Sequence, residues 1–287
     1  MQRSTIQLLR FHFSFLLLPI YLFALGTVPV IHVSHAVLVF FILHILVYPA
    51  SNGYNSYMDR DVTPVGAIKN PLPPTRELFV VTVLMDAAAI TLSLLIGYWF
   101  TLGTLLYILA SRAYSYRGIR LKKYPFGGYF TVVVFQGGFT YALVLYGCSQ
   151  PPFLQPSLTG MLASSLLIGG IYPLTQIYQH EADAKDGVNS ISRLLGYRGT
   201  FVFCGAVYIL AFTMLALDYF NSNALLKFVV LATCMLPVPV YFISWARKVW
   251  KDTAAASFSN TMTMNLLASV CTNLGFLILV TWKILTR

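Results

Sequence analysis

Polar residues arrive in short bursts along this chain, separated by long apolar stretches. The apolar runs occupy roughly residues 8–28, 33–57, 78–98, 100–116, 128–147, 158–182, 199–220, 224–246 and 261–283. A helix needs ~20 apolar residues to cross the hydrocarbon core of a bilayer, so the pattern predicts nine transmembrane helices. The third and fourth runs nearly fuse around 99–103. The run 128–147 carries Gly137 and Gly138, which suit close contact between helices.

Composition agrees with this reading. Of 287 residues, 57% are hydrophobic and only 10% are charged, against about 25% charged in an ordinary soluble domain. Mean hydropathy is +0.72. A soluble enzyme, a disordered chain and a nucleic-acid binder are all disfavoured, and the expected partner is the lipid bilayer. Cys148, Cys204, Cys234 and Cys271 are widely spaced and form no zinc-like pattern; they read as small core residues. No small-residue cleavage site follows the run 11–26, so no removable targeting segment is expected.

The net charge of +10 is informative through its placement. With nine spans, sixteen of the nineteen Lys and Arg residues fall at the N-terminus or in the loops after spans 2, 4, 6 and 8. Only Lys227, Lys283 and Arg287 fall on the other side. The positive-inside rule then makes the N-terminus cytoplasmic and the C-terminus external, in a bacterial inner membrane. The acids are equally one-sided: Asp59, Asp61, Glu77, Glu181, Asp183, Asp186 and Asp252 are cytoplasmic, Asp218 is external, and Asp86 alone sits well inside a span. External loops such as 31–36 and 148–157 are short and nearly chargeless. The chemistry therefore faces the cytoplasm.

Two of the cytoplasmic ends repeat each other. The second span ends Tyr54-Asn55-Ser56-Tyr57-Met58-Asp59-Arg60-Asp61, and the sixth ends Tyr178-Gln179-His180-Glu181-Ala182-Asp183-Ala184-Lys185-Asp186. Both read Tyr, carboxamide, three residues, Asp. Residues i and i+4 share a helix face, so each end presents an amide oxygen beside a carboxylate, with Asp186 on the same face as Gln179. Spans 4 and 8 end in basic residues instead, which points to two similar four-helix halves plus one extra helix. Charged groups at helix ends are commonly just interfacial. Facing carboxylates, however, repel unless a cation lies between them. Two carboxylates with two amides form a hard-oxygen set suited to Mg²⁺ and substrate phosphates. Neighbouring Arg, Lys, Tyr and Ser side chains can take the remaining phosphate oxygens. With an apolar cavity behind for a lipid tail, the set describes a prenyl diphosphate.

At these residues the chain resembles the UbiA-type intramembrane prenyltransferase superfamily. Its first signature, an Asn followed four residues later by Asp and further acids, is matched by Asn55, Asp59 and Asp61, trailed by Lys69-Asn70-Pro71-Leu72-Pro73. Its second, Asp-xxx-Asp-xxx-Gly, is matched by Gln179, Asp183 and Gly187. Between them lie Tyr114, Ser115, Arg120 and Lys122, in place of the family's Tyr-Ser with basic residues. The resemblance covers essentially the whole chain as one domain, 1–287. It implies an all-α polytopic membrane fold around a central cavity open to the cytoplasmic side. It implies Mg²⁺ held by Asn55, Asp59, Gln179 and Asp183, and catalytic carboxylates at Asp59, Asp183, Asp61 and Asp186. It further implies diphosphate contacts from Lys69, Tyr114, Ser115, Arg120 and Lys122, with Arg10 near the cavity mouth. The chain departs from the family pattern at Ser56, at Thr63, at the neutral Gln179, and at Ser190 or Ser192 where a Thr is usual. The site thus holds fewer formal negatives, and Asp61, Glu181 or Asp186 is the expected compensation.

The implied reaction is Mg²⁺-dependent transfer of a prenyl group from a polyprenyl diphosphate to an aromatic, quinone-precursor or lipid acceptor. A wall of Phe, Tyr and Met would shield the allylic cation. A terpene cyclase on the same fold ionises the donor identically, and a transporter is a third reading, although transporters place ion sites near the bilayer midplane. Asp86 is expected to bond a neighbouring helix, as are His44, Gln136, Thr140 and Asn265. His180 is weighed as a substrate contact, with a structural role favoured. The segments 62–77 and 185–198 are long enough to act as covers.

Overall fold

The computed structural model describes residues 1–152 and 155–286. Arg287 and part of the loop 148–157, both used in the topology argument, lie outside the described residues. Among the described residues every named element is helical, and β structure is confined to two isolated bridges, Ile31 with Ser149 and Val65 with Ile68.

The helices are α1 (Arg3–Leu16), α2 (Leu18–Thr27), α3 (Val33–Asp59), α4 (Arg76–Ser93), α5 (Tyr98–Ser115), α6 (Pro125–Cys148), α7 (Leu158–Lys185), α8 (Ile191–Asn221), α9 (Leu225–Met235), α10 (Pro237–Lys251) and α11 (Phe258–Leu285). Five of them, α3, α6, α7, α8 and α11, are individually long and apolar enough to cross a membrane. The pairs α1–α2 and α9–α10 qualify only when each is taken as one span bent by 41°, which brings the number to seven. The chain is an integral membrane protein on this pattern, with five to seven candidate spans among the described residues against the nine expected. Helices occupy the third and fourth predicted spans, but each has only 18 residues. Arg76, Glu77 and Asp86 dilute α4, and Arg112 with several Tyr, Thr and Ser dilutes α5.

The breaks have local causes. Gly97, with φ +146°, separates α4 from α5 a few residues before the soft boundary expected at 99–103. Pro237 at the start of α10 lacks an amide hydrogen, so the run 224–246 bends there instead of continuing straight. Gly137 has non-helical φ −99° and ψ −106° inside α6. A Cβ at Gly137 would lie 2.4 Å from the Ser165 Cα, so α6 and α7 meet backbone to backbone as its sequence position predicted. The Gly138 amide seals that crossing by donating to Ser165 Oγ at 2.9 Å. Opposite, α2 packs on α11 with Phe23 stacked on Phe276 at 5.0 Å. All four cysteines are free, and Cys148, Cys204 and Cys271 are buried.

Candidate active site

The helices enclose a cavity of about 300 Å³. One end is ionic and the rest is mostly apolar. Asn55, Asp59, Asp61, Gln179, Asp183 and Asp186 all line it, as do Lys122, Arg10, Tyr114 and Ser115. The two Tyr-amide-xxx-Asp strings, which are more than a hundred residues apart in sequence, therefore face one space. Asp61 interacts electrostatically with Asp59 and Asp186, and Asp183 with Asp59, Asp61 and Lys122.

The first string forms the last turn of α3, which Arg60 closes with left-handed φ +54°. Asn55 Oδ1 accepts from Ser115 Oγ at 2.9 Å, so buried Ser115 on α5 aims the amide. The Asp59 carboxylate is only 3% exposed. One of its oxygens is held by Lys122 Nζ. The other, Oδ1, is buried with no hydrogen-bond partner, and Arg120 approaches it only to 3.7 Å. Arg120 is itself committed to Asp186 through an ion pair.

The second string departs from the continuous helix expected of it. After Pro173 the end of α7 tightens into a 3₁₀ turn at 177–179 and resumes as α-helix at His180–Lys185. Gln179 sits at that junction, where its Nε2 donates to the Pro64 carbonyl at 3.2 Å. Ser190 lies close enough to Asp183 to act on its carboxylate, while Ser192 bonds His180 at 2.8 Å. Ser190 is thus the serine that reaches the site. His180 is stacked on Tyr197 and does not line the cavity, consistent with the structural role favoured for it.

Arg10 projects into the cavity from a left-handed kink in α1, φ +49°. It is 5% exposed and donates from Nη2 to the Asn52 carbonyl at 2.9 Å, with Nε left unpartnered. Its guanidinium lies against Gly66, where an added Cβ would come within 2.1 Å of Nη1. The segment after α3 crosses the ionic end as expected of a cover: Thr63, Val65 and Gly66 line the cavity. The Gln7 side chain pins that segment, bonding the Asn70 carbonyl at 3.2 Å and the Leu72 amide at 2.8 Å. Lys69 in this segment is exposed and does not line the cavity. Burial and the Asp59 charge push the Asp61 carboxyl up to about 6, against the pull of Lys122 and Arg10.

Asp86 pairs with Arg112 across α4 and α5, and the Arg112 guanidinium lies 4.0 Å over the Tyr54 ring. This is the interhelical bond expected of Asp86, and it lies away from the cavity. A chain of hydroxyls and an amide runs along the wall: Gln176 Nε2 donates to Tyr172 at 2.8 Å, and Tyr172 shares a 2.6 Å bond with Tyr114. Sequence reasoning missed Tyr172 and Gln176. Their spacing from Gln179, two turns back for Tyr172 and one for Gln176, was the available signal. Phe13, Phe135, Tyr107, Tyr208, Met235 and Met262 supply the expected aromatic and thioether lining.

Among the described residues no three His, Cys, Asp or Glu side chains form a ready metal cage. The donor set still fits Mg²⁺. All its donors are hard oxygens, the buried Asp59 Oδ1 lacks a hydrogen-bond partner, and Mg²⁺ usually needs only one or two carboxylates beside water and phosphate.

Fold and site together define a polytopic helical membrane protein with a carboxylate-amide-cation cluster at one end of an apolar cavity. Residues 15–267 match the UbiA prenyltransferase family, and the chain belongs to it. It is 30% identical over 158 residues to the bacteriochlorophyll synthase 33 kDa chain of Cereibacter sphaeroides, a match spanning 53% of this chain and 51% of that relative. Two solved structures share the fold. A UbiA homologue from Archaeoglobus fulgidus bound to GPP and Mg²⁺ is 16% identical, with TM-score 0.69 over 97% of this chain and 99% of that one. The apo UbiA homologue from Aeropyrum pernix K1 is 18% identical, with TM-score 0.69 over 93% and 97%.

Proposed function

We propose that this chain catalyses Mg²⁺-dependent transfer of a prenyl group from a polyprenyl diphosphate to a lipophilic acceptor inside the membrane. The observation that carries the reading is the convergence of both amide-carboxylate strings with Lys122 and Arg10 in one mostly apolar cavity. Family membership supports it, as does the diphosphate and Mg²⁺ held by the Archaeoglobus fulgidus homologue.

Asn55, Asp59, Gln179 and Asp183 would hold the metal, with Asp61 and Asp186 as further carboxylates. When bound, Mg²⁺ supplies Lewis-acid stabilisation of the charge that develops on the departing diphosphate. The chain's own cations act on the same charge. Arg10, desolvated and fixed by the Asn52 carbonyl and the Gly66 surface, is a preorganised donor. Lys122 holds Asp59 in the absence of substrate and swings its ammonium onto the diphosphate. Tyr114 and Ser115 orient the phosphate oxygens and the Asn55 amide. As the allylic carbon–oxygen bond breaks, the cation faces Phe135, Tyr107 and Tyr208, whose ring faces stabilise it and exclude water. The acceptor then attacks, and its displaced proton leaves to a carboxylate of the cluster.

The proposed topology keeps nine spans, with the N-terminus and the ionic end of the cavity on the cytoplasmic side of a bacterial inner membrane and the C-terminus external. The Asp86–Arg112 pair supports this count, because it neutralises one charge inside each of α4 and α5.

The test uses the purified full-length protein in lipid nanodiscs. It is supplied with geranylgeranyl or longer diphosphates and candidate acceptors, with and without Mg²⁺, and lipid products are read by mass spectrometry. A prenylated acceptor is expected only with Mg²⁺, with formation lost in Asp59→Ala and Asp183→Ala. Wild-type rates in either variant, or a cyclic hydrocarbon formed from donor alone, would refute the assignment.

A further inference from the structure

The cavity wall carries polar groups that the ionic chemistry does not use. Asn265 on α11 lines the cavity and is 4% exposed, yet neither its amide nitrogen nor its amide oxygen has a hydrogen-bond partner. Buried amides are nearly always paired, and an unpaired one in an apolar wall is costly unless something polar comes to meet it. On α7, Gln176 also lines the cavity. Its Nε2 is committed to Tyr172, which leaves Oε1 buried without a donor. Nearby polar groups on these walls are already satisfied: Ser269 donates to the Phe15 carbonyl at 2.9 Å, Thr272 to Ala268 at 2.6 Å and Thr175 to Tyr172 at 2.6 Å.

The position sets Asn265 apart from the carboxylates, while Gln176 lies one turn before Gln179 on α7 and is tied through Tyr172 to Tyr114. Phe258 at the start of α11 packs edge-on against Tyr178 at 5.2 Å. From that level Asn265 lies ~10 Å further along its helix at 1.5 Å per residue, whereas Asp183 follows Tyr178 in the opposite sense, toward the end of α7. The open groups amount to one complete carboxamide and one lone acceptor oxygen, with no charge among them. A carboxylate would meet two carbonyl oxygens and no cation. A quinone carbonyl has no proton to give Gln176 Oε1. A hydroxyl both donates and accepts, so it can take a hydrogen from Asn265 Nδ2 and give its own to Gln176 Oε1.

We propose that Asn265 and Gln176 form a neutral subsite that seats the hydroxyl of an uncharged phenol or alcohol acceptor. The proposal rests on the prenyl-transfer reading and narrows its acceptor class. Asn265 Nδ2 donates to the hydroxyl oxygen, and the hydroxyl proton is accepted by Gln176 Oε1.

Binding of three probes to the full-length protein in detergent tests this: 1-naphthol as the neutral hydroxyl, 1-naphthoate as its anionic counterpart, and farnesyl thiodiphosphate with Mg²⁺ as the donor analogue. Wild type should bind 1-naphthol about tenfold tighter than 1-naphthoate. Asn265→Leu should weaken 1-naphthol about tenfold while holding farnesyl thiodiphosphate within about twofold, as expected for loss of neutral hydrogen bonds alone. Asn265→Gln should retain most of the 1-naphthol affinity. Gln176→Met, which removes the open oxygen of the other helix, carries the test independently if Asn265→Leu does not fold. Wild-type 1-naphthol affinity in folded Asn265→Leu or in Gln176→Met, tighter 1-naphthoate binding, or no 1-naphthol binding by wild type overturns the proposal. Failure of farnesyl thiodiphosphate alone to bind sinks the donor reading and leaves the hydroxyl subsite standing.

Discussion

Lys122→Met should move two affinities in opposite directions. In the structure the Lys122 ammonium occupies one oxygen of Asp59, and the Asp59 and Lys122 side chains are 3% and 13% exposed. A cation approaching Asp59 must displace or share with that ammonium. Unit charges 4 Å apart interact by about 4 kcal/mol at an effective dielectric constant near 20. Arg120, 3.7 Å from the second Asp59 oxygen, remains in the variant and compensates much of that loss. The residual gain for a divalent ion is about 1–2 kcal/mol, or about 5- to 30-fold tighter binding. The donor diphosphate loses one charge-assisted hydrogen bond, about 1.5–3 kcal/mol, and should bind about 10- to 150-fold more weakly. The assay pairs Mn²⁺ titration by electron paramagnetic resonance, without donor, with the donor KM at saturating Mg²⁺. Equal or weaker Mn²⁺ binding in Lys122→Met would refute the view that Lys122 holds the metal-binding carboxylate in reserve.

Arg112→Met leaves Asp86 buried without its partner and should destabilise the protein by about 3–5 kcal/mol; thermal unfolding in detergent should show most of that loss recovered in the double variant Asp86→Leu, Arg112→Met. Asp61, with its carboxyl near 6, carries a proton below that pH and is ionised above it. Metal affinity should therefore fall as pH drops through 6, by up to about tenfold per unit, and Mn²⁺ titration of Asp61→Asn should show a flatter profile between pH 5 and 7. Gly137→Ala forces a Cβ to within 2.4 Å of the Ser165 backbone; the overpacking should cost about 1–3 kcal/mol and lower the unfolding temperature.

The comparison of sequence with structure separates local from tertiary information. Hydropathy and the i, i+4 repeat located α3 and α7, and they named Asn55, Asp59, Gln179 and Asp183 before any coordinates. Both signals are written along the chain, and on α3 the helix converts spacing into a shared face without help from elsewhere, whereas on α7 a 3₁₀ turn at 177–179 interrupts it and Gln179 lines the cavity from that junction. Glycine chemistry was equally legible at Gly137, because a residue with no side chain marks where another backbone comes close. The bends were less so. Pro237 divides α9 from α10, and Asp86 of α4 finds its neutralising partner, Arg112, on the next helix.

What only the tertiary structure decided is which side chains meet. Lys69 and Lys122 look equivalent as basic residues near a motif, yet the path of the loop leaves Lys69 exposed while Lys122 reaches Asp59. Arg10 becomes a cavity group because its backbone kinks left-handed and Gly66 leaves room for its guanidinium. Asn265 reads in sequence as one more polar interruption of a span. Its unpartnered amide acquires meaning only once α11 and α7 are packed around the same space. Hydrophobicity and periodicity are properties of neighbours in sequence, whereas a charge pair, an orphaned oxygen or a shared cavity depends on helix crossings set by packing of the whole chain.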